Sequence, residues 1–402
     1  MGDNTSIVTS VEMSPGVLAT GQVTQLIKKG AITSQKSVPL EMDGSAFDLR
    51  LGTTGWQLAQ GQRPATTELT ELQAQRPQIN LSVDSKGKYF LFEKGHIYLV
   101  RLAHDLNLPV NINGRATGKS SIGRLDVITR LLTNNSREYD VVEAGYSGPL
   151  FLLIQPQTFS IRVRPGQSLN QLRLFSGPPY ECVINRASIG DFGTPFWYLT
   201  RKDRSEGYVP WDELVSEYGR ARTADPGLFD LTVDLGDPGF PHIYKANNRA
   251  DLDPIDLRKG KKSYDPTLCF ERVPINSGGS SRSVILKRGS FYIMKSRERL
   301  HIPYDVAVEV VAISERIGDI RIHYAGFAHP RFGRHKGKVK KGTPLIFEVR
   351  ATDMNTKLFD GSLLARIQLF RMSTKTKVSS SEYDEQELKL SSYFREWPSE
   401  SE

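Results

Sequence analysis

Three features of the sequence predict a mainly β chain, built twice from one barrel or jelly-roll unit. Short segments rich in Val, Ile, Leu, Tyr and Phe recur along most of the 402 residues. Gly, Pro, Asn and Asp separate them, the pattern of short strands joined by turns in sandwiches and barrels. The third feature is an internal repeat. Gly95-His96-Ile97-Tyr98 matches Gly289-Ser290-Phe291-Tyr292, and Leu108-Pro109-Val110 matches Ile302-Pro303-Tyr304, at one offset (289 − 95 = 194; 303 − 109 = 194). The stretch from Gly166 to Phe175 then matches Gly361 to Phe370 with the offset slipped by one (370 − 175 = 195). Self-similarity at a fixed spacing marks one structural unit used twice.

The elements follow in order. A short helix is expected from Thr20 to Lys29, stopped by Gly30. Ser45-Ala46-Phe47-Asp48-Leu49 opens the first copy and is echoed by Gly227-Leu228-Phe229-Asp230-Leu231, at an offset of 182 (229 − 47). The growth of the offset to 194 places about a dozen extra residues in the second copy before Gly289, with Gly/Ser-rich Ser277 to Ser281 as an insertion loop. Strands are expected over Tyr89–Phe92, Ile97–Leu102, Pro149–Ile154 and Ser160–Arg164. Outside the first helix, only Trp211 to Tyr218 holds a helical period. The resulting division is an N-terminal segment (1–40), a first repeat (41–176), a connector (177–221), a second repeat (222–372) and a tail (373–402). The tail is mostly polar but ends on Tyr393, Phe394 and Trp397, which leaves a disordered extension or a flap folding over a site.

Composition narrows the function classes. A hydrophobic fraction of 38% and a charged fraction of 24% describe a soluble globular chain. No apolar run approaches the roughly 18 residues of a membrane span. Met1-Gly2 and Ser6 fit the first letters of a myristoylation pattern, yet no basic-then-apolar leader follows, and we read an ordinary start. Cys182 and Cys269 build neither a disulfide framework nor a paired-cysteine zinc site, so a reduced, cytoplasmic setting without zinc is expected. The net charge of +8 invites a nucleic-acid reading. However, basic and acidic residues are interspersed, and the densest basic run, Arg334 to Lys341, reads as a solvated hairpin tip. Neither a specific nucleic-acid partner nor a membrane is expected.

Three segments carry candidate chemistry. In Gly118-Lys119-Ser120-Ser121-Ile122-Gly123-Arg124, small residues admit close approach, two hydroxyls donate, and Lys119 and Arg124 bring positive charge, as phosphate oxygens require. Arg115 stands just ahead of it. The spacing is not that of a Walker loop. At the 194 offset Ser120, Ser121 and Arg124 become Ser314, Glu315 and Gly318, so the cationic hydroxyl loop exists only in the first copy. The second segment, Glu143-Ala144-Gly145-Tyr146-Ser147-Gly148, marks a tight turn leading into an apolar strand. The third runs from Tyr324 through His329 to Gly333, followed after the basic run by Pro344 to Arg350. There Glu348 alternates with Phe347 and Val349, and a solvent-facing strand glutamate is the plain reading. Counting back along the repeat pairs Glu348 with Leu153.

This order of motifs resembles the dCTP deaminase branch of the dUTPase superfamily, in its long two-repeat form, over roughly residues 16 to 372. Its most specific stretches are Lys119 to Asp126 and Ala144 to Gly148, and the Phe47-Asp48-Leu49-Arg50-Leu51-Gly52 segment fits as well. The resemblance implies two tandem dUTPase-like distorted jelly rolls and sites between subunits of a homotrimer. It also implies metal-free hydrolytic deamination of dCTP, with Mg²⁺ arriving only on the triphosphate. Carried over by position, Ser120 orients the attacking water, Ser121 and Arg124 bind near base and phosphates, and Lys119 contacts phosphate. Arg115 and Tyr146 join the substrate-binding set. The family's general base falls on Leu153 in the first copy and on Glu348 in the second, which implies a composite site with Ser120, Ser121 and Arg124 facing Glu348 from the other repeat or a neighbouring chain. His329 replaces a family aspartate, and Glu143 stands in register with the aspartate by which dUTPases activate water. Two other readings stay open: a nucleotide-binding relative without catalysis, and a dUTP diphosphatase or bifunctional enzyme.

Overall fold

The computed structural model describes residues 12–35, 38–61, 64, 69, 78–184, 196–200, 206–209, 228–247, 249, 251–278, 281–311, 320–322, 326–333, 342–375 and 387–398. The first residues, most of the connector including 211–218, the 314–318 counterpart of the serine loop, the basic run and tail residues 376–386 lie outside them.

The expected helix forms over Thr20–Lys28, burying Val23 and Leu26, and Gly30 follows it in the left-handed conformation (φ +75°). In the first repeat the sheet order is Val141–Val142, Ile112–Gly118, Ser168–Ser176, Ala46–Leu58, Ile97–Asn107, Ser147–Pro156, Val127–Thr133. The two ends of this order meet at Asp140, whose carbonyl accepts from Ala116 N and whose amide donates to Leu131 O. That contact curls the sheet toward a barrel. In the second repeat, Thr343–Ala351 pairs with Phe291–His301, and Leu363–Arg371 lies between Leu228–Thr232 and Val306–Val311.

Strand pairing reproduces the repeat residue by residue. Leu153 lies opposite Leu99, and Glu348 opposite Ile293 (348 − 153 = 195; 293 − 99 = 194). Phe47 faces Leu172 as Phe229 faces Ile367 (229 − 47 = 182; 367 − 172 = 195). Gly95 and Gly289 both take left-handed φ values, +80° and +69°, and donate to Pro156 O and Ala351 O respectively. A side chain there would strain the turn, so the motif keeps glycine. Tyr98 and Tyr292 each accept a backbone hydrogen bond at the hydroxyl, from Glu93 N and Lys287 N. One stretch departs from the 194 to 195 offset of its neighbours. Gln155 pairs with Ile128 but Arg350 with Arg321, an offset of 193 (321 − 128), so the second copy of the serine loop is shorter than the 194 offset assumes.

The repeats are not separate bodies. Ile161–Val163 of the first pairs in parallel with Ile255–Asp256 of the second. Along the seam, equivalent residues meet each other: Phe175 packs edge-on against Phe370, and Arg115 Nη1 bonds Glu309 Oε2 at 3.1 Å (309 − 115 = 194). Fully buried Arg173 crosses the seam to the carbonyls of Val308 and Ala328. Equivalent surfaces meeting themselves is the geometry of an isologous, two-fold contact.

Candidate active site

The Ile112–Gly118 strand hands over to one helical turn, Ser120–Gly123. Ile122 N and Gly123 N donate to Lys119 O, and Arg124 N donates to Ser120 O. Lys119 N donates to Leu169 O, which pins the turn to the neighbouring strand. Ser120 and Ser121 are half-buried, whereas Arg124 is buried at 5% exposure. Lys119 Nζ donates to both carboxylate oxygens of Asp48, at 2.7 and 2.8 Å.

Glu348 sits in the Thr343–Ala351 strand, and the solvent-facing reading does not hold: Phe347, Glu348 and Val349 are all buried, Glu348 at 1% exposure. The strand is covered on both faces, so alternation no longer tells inside from outside. Arg124 Nε of the first repeat lies 3.6 Å from Glu348 Oε1 of the second. Burial raises the Glu348 carboxyl to about 8, and the Arg124 guanidinium opposes that rise. The composite pair thus exists within one chain. Buried Glu348 Oε1 accepts no hydrogen bond among the described residues, which leaves it an acceptor for a proton-bearing ligand.

Residues 387–398 lie over this pair as a docked flap. Leu390 O accepts from Arg124 Nη1 at 3.4 Å, and Ser391 Oγ donates to Ser121 O at 2.6 Å. Side-chain anchors hold the flap at both ends, beside backbone hydrogen bonds to residues 262–264. Glu387 is gripped by Lys295 and Arg299. Phe394 packs edge-on against Phe270, with Trp397 tilted on Tyr244.

Comparison with known proteins decides what this arrangement belongs to. The profile described as "2'-deoxycytidine 5'-triphosphate deaminase (DCD) N-terminal domain" matches residues 14–178, and that of the DCD C-terminal domain matches 209–394. The chain belongs to the dCTP deaminase family. The crystal structure of 2'-deoxycytidine 5'-triphosphate deaminase from Agrobacterium tumefaciens superposes with a TM-score of 0.72 at 28% identity, covering 89% of this chain and 99% of that one. Two curated relatives are each named "dCTP deaminase, dUMP-forming". The Acidothermus cellulolyticus protein is 27% identical over 151 residues, 37% of this chain and 74% of that protein. The Corynebacterium glutamicum protein is 33% identical over 106 residues, 26% of this chain and 53% of that protein.

Against the site residues expected of a dCTP deaminase, the structure brings Ser120, Ser121, Arg124 and Glu348 together. It places others elsewhere. Arg115 leaves the loop for the seam, bonded to Glu309 and lying over the Phe370 ring. Tyr146 spends its hydroxyl within the first repeat, donating to Pro149 O at 2.6 Å and accepting from Asn134 N at 3.2 Å. Glu143 is exposed on the turn, its carbonyl accepting from Tyr146 N. His329 is buried against Gly44 and Ser45, and burial first, then the positive charges of Arg173 and Lys119, lower it to about 3. It is therefore a neutral ring at neutral pH, with Nδ1 accepting from Ser45 N.

In the other half of the dCTP deaminase fold, the position equivalent to Glu348 is apolar. Leu153 is buried among Trp56, Leu58, Leu69, Leu99, Leu132 and Phe151, an apolar plug where the second repeat holds its carboxylate. A cavity of about 240 Å³ remains beside it, reached by Arg321 and Ile322 of the second repeat. Two contributors escaped the sequence reading: Asp48, which takes up Lys119, and the flap residues Leu390 and Ser391. An acid inside an apolar strand was a visible signal for the first. The late aromatic cluster was a signal for the second.

Proposed function

We propose that this chain hydrolyses dCTP to dUTP and ammonia, with Glu348 as the general base. The single observation that carries this reading is the buried Arg124–Glu348 pair, in which the carboxyl stands near 8. A proton carrier works best with its pKa near the operating pH. Glu348 takes a proton from water as the oxygen attacks C4 of cytosine, and returns it to the departing amine, so dCTP and H₂O give dUTP and NH₃. Ser120 orients the water. Ser121 and Arg124 hold the base and the adjoining phosphate, and Lys119 faces phosphate once Asp48 yields it. Mg²⁺ arrives chelated by the triphosphate as part of the substrate, and no step is routed through it.

The names of the curated relatives favour a second reading, in which the same chain carries the product on to dUMP. Exposed Glu143 is the group in register for that step. We further propose a cytoplasmic setting, which the two buried free thiols support, and a homotrimeric assembly. The catalytic pair comes from one chain, so the trimer adds neighbours to it rather than completing it.

One assay tests all of this: purified protein with dCTP and Mg²⁺, following ammonia, pyrophosphate and dUMP, alongside sedimentation velocity. Ammonia without pyrophosphate supports the first reading, and ammonia with pyrophosphate the second. No ammonia, with dCTP still raising the melting temperature, sinks both in favour of a binding protein. Glu348→Gln is expected to lower turnover by roughly 10² to 10⁴-fold with nucleotide binding retained.

A further inference from the structure

A second ion pair crosses the seam beside the first, with its signs reversed. Arg124 and Asp126 lie two residues apart at the end of the serine loop. Glu348 and Arg350 lie two residues apart on one strand and so share a face. Arg350 Nη2 bonds Asp126 Oδ2 and Thr158 Oγ1, and its Nη1 bonds Gly289 O. Asp126 is fully buried and holds a left-handed φ of +57°, a conformation that Asp and Asn tolerate best among residues with a side chain.

Asp126 is also a backbone knot. Its amide donates to Gly123 O at 2.8 Å, closing the loop, and its carbonyl accepts from Gln157 N at 2.8 Å. The residue that closes the serine loop therefore also grips the strand that carries Glu348. The grip has a second effect. With Arg350 on Asp126, a carboxylate two residues from Arg124 is already satisfied and does not compete with Glu348 for the Arg124 guanidinium. In the other half of the fold the counterpart of Arg350 is Gln155 (350 − 155 = 195), which carries no charge, and the counterpart of Glu348 is Leu153. The charged clamp accompanies the carboxylate and is missing where the carboxylate is missing.

We propose that Asp126 and Arg350 are positioning residues for the deamination reaction, their pair setting the distance between the Ser120–Arg124 loop and Glu348. This rests on the reading of Glu348 as the base. Loosening the clamp lets the loop and the strand drift while dCTP is still bound by the loop itself, so turnover suffers and affinity does not.

The test uses the full chain with Asp126→Asn, Arg350→Gln and the two combined. Asparagine keeps the left-handed backbone acceptable, so only the charge is lost. Each single variant is expected to lose kcat on the order of 100-fold, the scale of an ångström's misplacement, with KM for dCTP within about threefold of wild type. The double variant is expected to be no worse than either single one, since both remove the same contact. As the Arg124 guanidinium recedes, the Glu348 carboxyl rises, so the acid limb of the kcat–pH profile moves to higher pH, which a merely structural pair would not cause. Arg350→Lys restores part of kcat. If Arg350→Gln does not fold, Thr158→Val, which removes the hydroxyl that donates to Asp126 and accepts from Arg350 but no charge, is expected to give an intermediate loss of kcat. Variants with wild-type kcat and an unshifted profile overturn this proposal alone. A wild-type protein that releases no ammonia overturns the deaminase reading beneath it.

Discussion

Arg124 and Glu348 are 224 residues apart in sequence (348 − 124) and 3.6 Å apart in space, both buried, one from each repeat. A buried pair of this kind is weak evidence for stability, because desolvating both charges offsets their attraction. Its consequence is chemical: the guanidinium keeps an otherwise unfavourable carboxylate within reach of neutral pH.

The pH dependence of the reaction follows from that balance. In the proposed role of base Glu348 must be ionised, and burial holds it protonated up to about 8. The acid limb of kcat/KM is therefore expected near pH 8, with the rate rising as pH increases through it. Arg124→Met removes the group that lowers the carboxyl, so the limb is expected to move upward as well as the rate to fall. A limb near pH 4.5 in the wild-type protein would contradict the burial of the base.

The flap offers a separable prediction. Phe394 is buried by Phe270 and Tyr264, and removing a core phenylalanine typically costs about 3 to 5 kcal/mol. Backbone hydrogen bonds also tie the flap to residues 262–264, from Lys262 N to Ser392 O and from Arg395 N to Tyr264 O, and Phe394→Ala is expected to loosen it locally by removing the ring that backs this contact. Hydrogen exchange should quicken over residues 387–398 and not in the barrel strands. Turnover of dCTP should fall about tenfold or more as the covering segment is lost.

Restoring the missing carboxylate is expected to give no second site. Leu153→Glu would bury a charge among Trp56, Leu99 and Phe151, and the Arg130 opposite it across the strand pair is already held by Asp140. A loss of at least ~3 kcal/mol in denaturant titration is expected for an uncompensated buried charge, with no increase in ammonia released per chain. A doubled rate would show that the second half keeps a working loop.

Acid stability is set partly by two buried histidines. Burial lowers His104 to about 4 and His329 to about 3, so both are neutral in the folded chain. A depressed histidine contributes stability that is fully present above its unfolded value of about 6.5 and is lost as pH falls through the folded values. Over pH 6.5 to 4 the raised carboxyls of Glu348 and Glu298 act in the opposite sense, favouring the folded chain as pH falls, so the histidine contribution is read as a difference between the wild type and a variant without the two rings. The melting temperature of the His104→Leu, His329→Asn double variant should hold up better than that of the wild type as pH falls over that range, and an identical slope would count against this account.

The sequence was a good guide where chemistry is written into a local pattern. The repeat offset recovers the pairing of Leu153 with Glu348 because turns anchored by Gly95 and Gly289 fix the register on both sides of the strand. The serine loop was legible from its own residues. What stayed hidden depended on distant partners. Alternation around Glu348 suggested solvent because it cannot report that Arg124 of the other repeat packs against its carboxylate. Arg115 resembled a phosphate ligand by proximity in sequence, while its actual partner, Glu309, lies one full repeat away. Asp126 reads as a loop residue until Arg350 is seen to reach it.

The Arg115–Glu309 contact has a historical meaning. In a dimer of identical chains, a position on the two-fold axis meets its own copy, so an arginine there faces an arginine and a glutamate faces a glutamate. Joining the copies end to end lifts that restriction. Each half becomes free to mutate alone, and a self-facing spot can turn into an attractive partnership of unlike residues. The same freedom lets one half bury a carboxylate at Glu348 while the other buries Leu153 in its place, a difference no pair of identical chains could hold.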